Sequence, residues 1–182
     1  VHIELPLDVA CRPYKVSGAE AVESVAPLPD KDQIALAAKL LGDATSPLIL
    51  AGGGARRSSD LIRELAERLN APVVQTVNAR GIMHGHPLSV PASPSLQAVR
   101  ELIGASDVVL AVGTEFGPTD YDMYATNTMP RMSNLIRIDI CPDQLARHPA
   151  EVAILDTAEA TLHSLKNILG LGDAEGTGVN RA

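Results

Sequence analysis

Gly52-Gly53-Gly54-Ala55 follows the apolar run Pro47-Leu48-Ile49-Leu50-Ala51 and precedes a stretch with helical spacing. Glycines at such a junction let a backbone approach a ligand, and the free amides opening a helix favour a phosphate. Arg57 stands where a third glycine would complete G-x-G-x-x-G. A plainer reading of the same turn is a need for positive φ. A dinucleotide fold also places an acid on the ribose, about 20 residues beyond the glycines. The second strand here ends Val73-Val74-Gln75-Thr76 without a carboxylate, so ordinary NAD dehydrogenase chemistry is disfavoured. The first acid at a comparable strand end is Asp139, in Arg137-Ile138-Asp139-Ile140. It is placed either to accept hydrogen bonds from ribose hydroxyls or to cap the next turn.

Other reactive side chains carry weaker signals. His84 and His86 form a His-x-His pair, but no third and fourth ligand stands near, so loop histidines are the simpler reading and no metal is expected. Cys11 and Cys141 lie far apart without metal-ligand spacing and read as reduced thiols of a cytoplasmic protein. No Ser/His/Asp or Cys/His arrangement with a local signature appears. Glu115, Asp120 and Asp122 make an acidic loop, either simply solvated or facing a cationic substrate or a neighbouring domain.

The elements that must position these residues alternate. Ile34, Ala37, Ala38 and Leu41 repeat at helical spacing after Asp30–Asp32, with Gly42 as a stop. Leu61, Ile62, Leu65 and Leu69 mark a second helix, opened by Ser58 or Ser59 and closed by Asn70. A third is expected to open at Ser93-Pro94, with Leu96, Val99, Leu102 and Ile103 on one face before Gly104. Asp156 and Glu159 have capping-box spacing ahead of a fourth, using Leu162, Leu165, Ile168 and Leu169 and ended by Gly170. Apolar runs at 47–51, 72–76, 107–112, 135–140 and 152–155 read as buried strands. Loops fill 78–91 and 114–133. Alternation of this kind predicts an α/β fold: a doubly wound, Rossmann-like parallel sheet covered by helices on both faces.

Residues 1–9 alternate like a further strand, entered without an initiator Met, as in a piece of a longer polypeptide. The stretch to residue 29, with Pro13, Pro27 and Pro29, reads as a linker, residues 30–170 as one domain, and 171–182 as a flexible tail. Across 182 residues, 46% are hydrophobic but only 2% aromatic, so the core must be built from Ala, Val, Leu and Ile. The net charge of −7, without a basic run, excludes a nucleic-acid footprint. No apolar run approaches the roughly 18 residues of a membrane span, and there is no signal peptide.

Six segments, in order, resemble the middle domain of the thiamine-diphosphate-dependent superfamily that includes acetolactate synthase, pyruvate oxidase and benzoylformate decarboxylase. They are Val-His-Ile-Glu-Leu-Pro-Leu-Asp-Val (1–9), Pro-Leu-Ile-Leu-Ala-Gly-Gly-Gly-Ala (47–55), Leu-Ala-Glu-Arg-Leu-Asn-Ala-Pro-Val-Val (65–74), Arg-Gly-Ile-Met-His-Gly-His-Pro-Leu (80–88), Ser-Asp-Val-Val-Leu-Ala-Val-Gly-Thr (106–114) and Ile-Arg-Ile-Asp-Ile (136–140). The resemblance implies about six strands in a domain lying between a pyrimidine-binding and a diphosphate-binding domain of the same chain. It also implies a homodimer or homotetramer at full length. Thiamine diphosphate and Mg²⁺ would be held by those other domains, so this segment alone would be inactive and would carry no catalytic residue.

In some members the middle domain holds FAD, in others ADP or nothing. Carried over by position, Gly52, Gly53 and Gly54 fall beside the diphosphate, Thr76 and Asn78 near the flavin side, and Gly113 and Thr114 at the next strand end. Asp139 and Ile140 fall at the adenosine ribose, with Asp156 and Thr157 near the adenine. Glu115 departs from the pattern, since flavin-binding members carry an Arg there. Thr119-Asp120-Tyr121-Asp122 is more similar to decarboxylases acting on basic 2-oxo acids such as 5-guanidino-2-oxopentanoate. Two other classes stay open at this point: a free-standing regulatory module binding FAD, ADP or NAD, and a structural spacer with an empty pocket.

Overall fold

A computed structural model of the protein describes residues 3–13, 15, 18 and 29–170. Six strands form one all-parallel sheet: β1 (Pro47–Ala51), β2 (Val73–Gln75), β3 (Ser89–Val90), β4 (Val108–Val112), β5 (Leu135–Asp139) and β6 (Val152–Leu155). Their spatial order is β3-β2-β1-β4-β5-β6. The chain winds outward from β1 to β3, then crosses back to the other side of β1 and winds out to β6. The reversal lies between β1 and β4, which pair in register from Pro47↔Val108 to Ala51↔Val112. In such sheets ligands collect outside the carboxyl ends of the strands near that reversal. The expected doubly wound α/β fold is the observed one.

Helices are α1 (Leu7–Ala10), α2 (Lys31–Asp43), α3 (Ser59–Leu69), α4 (Gln97–Ala105), α5 (Met123–Thr126), α6 (Pro142–Arg147) and α7 (Ala158–Ile168). Alternate residues of β1 point to opposite layers. Ile49 and Ala51 pack with Ile34, Leu41, Ile62, Leu65, Leu162 and Leu165 of α2, α3 and α7. Leu48 and Leu50 pack with Val99 and Ile103 of α4 and with Phe116 and Tyr121 from the following loop. Both faces of β1 are therefore buried, which is why it reads as an unbroken apolar run.

Four expectations are corrected. Residues 3–10 form no strand: Leu7–Ala10 is a helical turn, and Ile3, Leu5 and Leu7 are exposed, with no strand pairing them among the described residues. Pro6 precedes that turn as its N-cap residue, a position that needs no amide donor. Helix α4 begins at Gln97 rather than at Ser93-Pro94, because Ser93 instead takes the Ser95 amide and hydroxyl on its own hydroxyl in a local turn. The cap of α7 is Thr157, whose Oγ1 accepts from the Ala160 amide at 3.2 Å, and not Asp156. The loops expected over 78–91 and 114–133 contain β3, whose two residues are too few to show a period, and the four-residue α5. Elsewhere Asp30 caps α2 by accepting from Asp32 and Gln33, and Asn70 closes α3 in the left-handed region. Most of the linker and all of the tail expected at 171–182 lie outside the described residues. Among the described residues no helix is long and apolar enough to cross a membrane.

Candidate nucleotide crevice

Beyond the paired ends of β1 and β4, the two following turns lock together. The Gly52 amide donates to the Val112 carbonyl at 2.9 Å, the Gly54 amide to the Gly113 carbonyl at 3.0 Å, and the Ala55 amide to the Gly52 carbonyl at 3.0 Å. A Cβ on Gly52 would stand 2.2 Å from the Gly113 carbonyl oxygen, and one on Gly113, at φ +56°, 2.5 Å from Gly54 Cα. Glycine is thus required here by the approach of the chain to itself. Of this turn's first four amides, only that of Gly53 is left without such a bond among the described residues.

A crevice of about 580 Å³ opens beside this contact, over the carboxyl ends of β4, β5 and β6. Gly54, Gly113, Asp139, Ile140, Asp156 and Thr157 line it, so six of the eleven positions inferred from sequence for the cofactor converge there. Asp139 Oδ1 accepts from the Cys141 amide at 2.9 Å, the cap role, while Oδ2 has no partner among the described residues and remains available. The cap reading is thus observed, and Oδ2 is left open. Asp156 is buried and its oxygens are occupied by the Thr157 amide at 2.7 Å and the Thr161 hydroxyl at 3.0 Å.

The remaining five lie off the crevice lining. Gly52 faces Gly113, and Gly53 lies against Asn78, where a Cβ would meet the Asn78 Cβ at 3.1 Å. Thr76 is buried at the end of β2, its amide donating to the Ala51 carbonyl at 3.0 Å. Thr114 is also buried, its hydroxyl 3.3 Å from that of Tyr121. Burial pushes the Tyr121 phenol above its ordinary range, so it stays protonated at neutral pH.

Sequence reasoning missed Arg57, Gln144 and Glu159 as crevice residues. Arg57 had a readable signal, as the cation replacing the third glycine. The other two reach the crevice only through α6 and α7. Glu115 also lines it, so its carboxylates come from Glu115, Asp139, Asp156 and Glu159 against the single arginine. Among the described residues no group of three or more His, Cys, Asp or Glu could hold a metal ion. His86 is instead clamped: Nε2 meets Glu67 Oε1 at 2.9 Å while Nδ1 accepts from the Leu88 amide at 3.2 Å.

The profile of the family described as thiamine pyrophosphate enzyme, central domain, matches residues 34–165. The chain belongs to that family. A probable 2-ketoarginine decarboxylase of Pseudomonas aeruginosa is 36% identical over 169 residues, which cover 91% of this chain and 30% of the relative. A sulfoacetaldehyde acetyltransferase of Rhodobacter capsulatus is 31% identical over 93% of this chain and 30% of its own length. An acetolactate synthase of Mycobacterium avium is 32% identical over 81% of this chain and 24% of its own. Among solved structures, the thiamine diphosphate-dependent 4-hydroxybenzoylformate decarboxylase of Rhodococcus jostii superposes with a TM-score of 0.63 at 28% identity, over 83% of this chain and 29% of that one. The chain thus spans under a third of the length of each of these proteins.

Proposed function

We propose that this chain is the central domain of a thiamine-diphosphate-dependent 2-oxo acid decarboxylase that carries no flavin, and that the acid it serves is basic, such as 5-guanidino-2-oxopentanoate. The observation that carries the reading is Glu115 on the crevice wall, next to Gly113, where flavin-binding members place an arginine. Without that arginine the flavin end of the dinucleotide has no cation to meet it, and the one cation of the lining, Arg57, is left for a diphosphate. The Thr119–Asp122 stretch and the name of the Pseudomonas relative support the basic substrate.

Thiamine diphosphate does not fit the residues described, since no metal-ligating group accompanies them. The cofactor, when bound elsewhere in such an enzyme, supplies the carbanion chemistry, and this domain contributes position and interface. The crevice does fit the adenosine half of a nucleotide. Asp139 Oδ2 is free for ribose hydroxyls, and Arg57 in the lining would meet a phosphate.

Calorimetric titration of the chain with ADP, FAD and NAD tests the pocket. ADP is expected to bind, with Asp139→Asn weakening it about tenfold, as for loss of a charged hydrogen bond. Retention of FAD with yellow colour would reject the non-flavin reading. The activity test is a polypeptide carrying this chain between a pyrimidine-binding and a diphosphate-binding domain, supplied with thiamine diphosphate and Mg²⁺. Release of CO₂ from 5-guanidino-2-oxopentanoate is expected, and none from the chain by itself. Acetolactate from pyruvate as the main product would transfer the domain to the carboligase branch.

A further inference from the structure

A second cavity, about 440 Å³, opens beyond the ends of β2 and β3 and has the opposite electrical character. Its charged or ionisable lining residues are Arg80, His84 and His86, without a carboxylate. In a chain of net charge −7 this grouping is a local exception. The guanidinium of Arg80 and the ring of His84 have no hydrogen-bond or ion-pair partner among the described residues. His86 differs, being held by Glu67 and Leu88 as part of the frame.

The backbone adds to this. Gly81 at φ +102° and Gly85 at φ +72° turn the loop, and neither amide donates a hydrogen bond among the described residues. A Cβ at either glycine would meet nothing within 4 Å, so the space beside both glycines is open. The loop is fixed rather than loose at its floor. Gln75, 8% exposed, accepts from the Met83 amide at 3.4 Å and donates to the Ser89 hydroxyl at 3.0 Å. Arg63 Nε holds the Ile82 carbonyl at 2.8 Å. An unpaired guanidinium, an unpaired imidazole and unused amides around a framed concavity are what oxyanion recognition requires. The volume lies within the range of small-molecule sites.

We infer that the cavity between Arg80, His84 and the Gly81 and Gly85 amides binds a small oxyanion, a carboxylate or a phosphate. Arg80 supplies paired N–H donors to two oxygens, and the glycine amides meet the third face. This assignment does not rest on the decarboxylase reading, because it needs neither the crevice nor thiamine diphosphate.

The test titrates the 182-residue chain with inorganic phosphate and, separately, with pyruvate as a small carboxylate, following amide chemical shifts at low and at raised salt. Shifts at Gly81, His84 and Gly85, weakened by salt, are expected. Arg80→Gln and His84→Gln, both at exposed positions, should each raise the dissociation constant at least fivefold with unchanged circular dichroism. Pyruvate binding without phosphate binding identifies a carboxylate as the source, and the reverse identifies phosphate. Binding that survives both substitutions but disappears in Arg57→Gln would move the anion to the glycine turn and overturn the assignment. So would the absence of any shift at millimolar anion.

Discussion

The amide of Gly54 donates to the carbonyl oxygen of Gly113 at 3.0 Å, so the turn leaving β1 is fastened to the turn leaving β4. The switch point of the sheet is therefore closed by backbone, and the crevice lies to its β4–β6 side. This contact leads to a stability prediction with an internal contrast. Gly52→Ala or Gly113→Ala forces backbone apart and should cost about 3 kcal/mol in urea unfolding. Gly42→Ala, in the last turn of α2 with a Cβ 3.6 Å from Leu169, should stabilise by about 0.7 kcal/mol. Equal effects at Gly52 and Gly42 would refute the locked turn.

The other end of β4 is held by a carboxylate. Asp107 Oδ2 accepts from the Thr45 amide and hydroxyl, both at 2.7 Å, and Oδ1 from the Ser46 amide at 3.0 Å. Burial alone would raise its pKa, but these bonds outweigh it and hold the group below the ordinary value of 3.8. A depressed carboxylate contributes stability that is full above the unfolded value and is lost as pH falls through the folded one. Asp107→Asn should therefore cost about 1–2 kcal/mol near neutrality. The gap between the two proteins should close below about pH 3.8. A gap that stays constant down to pH 2 would show that the charge is irrelevant.

How much of this was legible in the sequence depends on what fixes each feature. Strands β1 and β4 were legible because double-sided burial makes unbroken apolar runs of five residues, whereas β5 carries Arg137 within its run and β6 exposes Ala153 at the sheet edge. Strand β3 was not, being two half-buried residues placed by the neighbouring β2. Helix α6 was missed although Pro142 at its first position and Asp143 in its first turn were present as signals. In the site, glycine spacing and a strand-end acid picked out Gly54, Gly113 and Asp139. Gln144 and Glu159 enter from helices whose packing no local pattern encodes. Thr76 and Thr114 were inferred from the resemblance alone, and both lie buried away from the crevice lining.

Arg137 is a prediction of its own, because it is a cation with 1% exposure inside the layer under α6. Its Nη1 donates to the Leu145 and His148 carbonyls at 3.2 Å each, and its guanidinium lies 4.6 Å from the centre of the Phe116 ring. Burial lowers its pKa, with the Asp139 charge acting the other way. Arg137→Ala leaves two carbonyls unpaired and an unfilled volume, and should cost about 3 kcal/mol in chemical unfolding. Arg137→Lys keeps the charge but not the planar fork, and should lose about half as much. Full recovery by lysine would mean that charge, not the clamp, is what matters.

His148 packs its ring edge-on against the same phenylalanine, at 5.5 Å between centroids. Burial lowers its pKa below 6.5, and the Arg137 and Arg147 charges push the same way. The folded protein therefore resists a proton that the unfolded chain accepts at its ordinary value. Above pH 6.5 both states are neutral at this position and stability is complete. As pH falls below that value the unfolded state gains the proton first, so stability declines until the folded state is protonated too. Urea midpoints measured across this window should fall more steeply with decreasing pH for the native chain than for His148→Gln. Parallel curves would show that the ring is equally protonated in both states, and that the aromatic contact does not exclude the imidazolium.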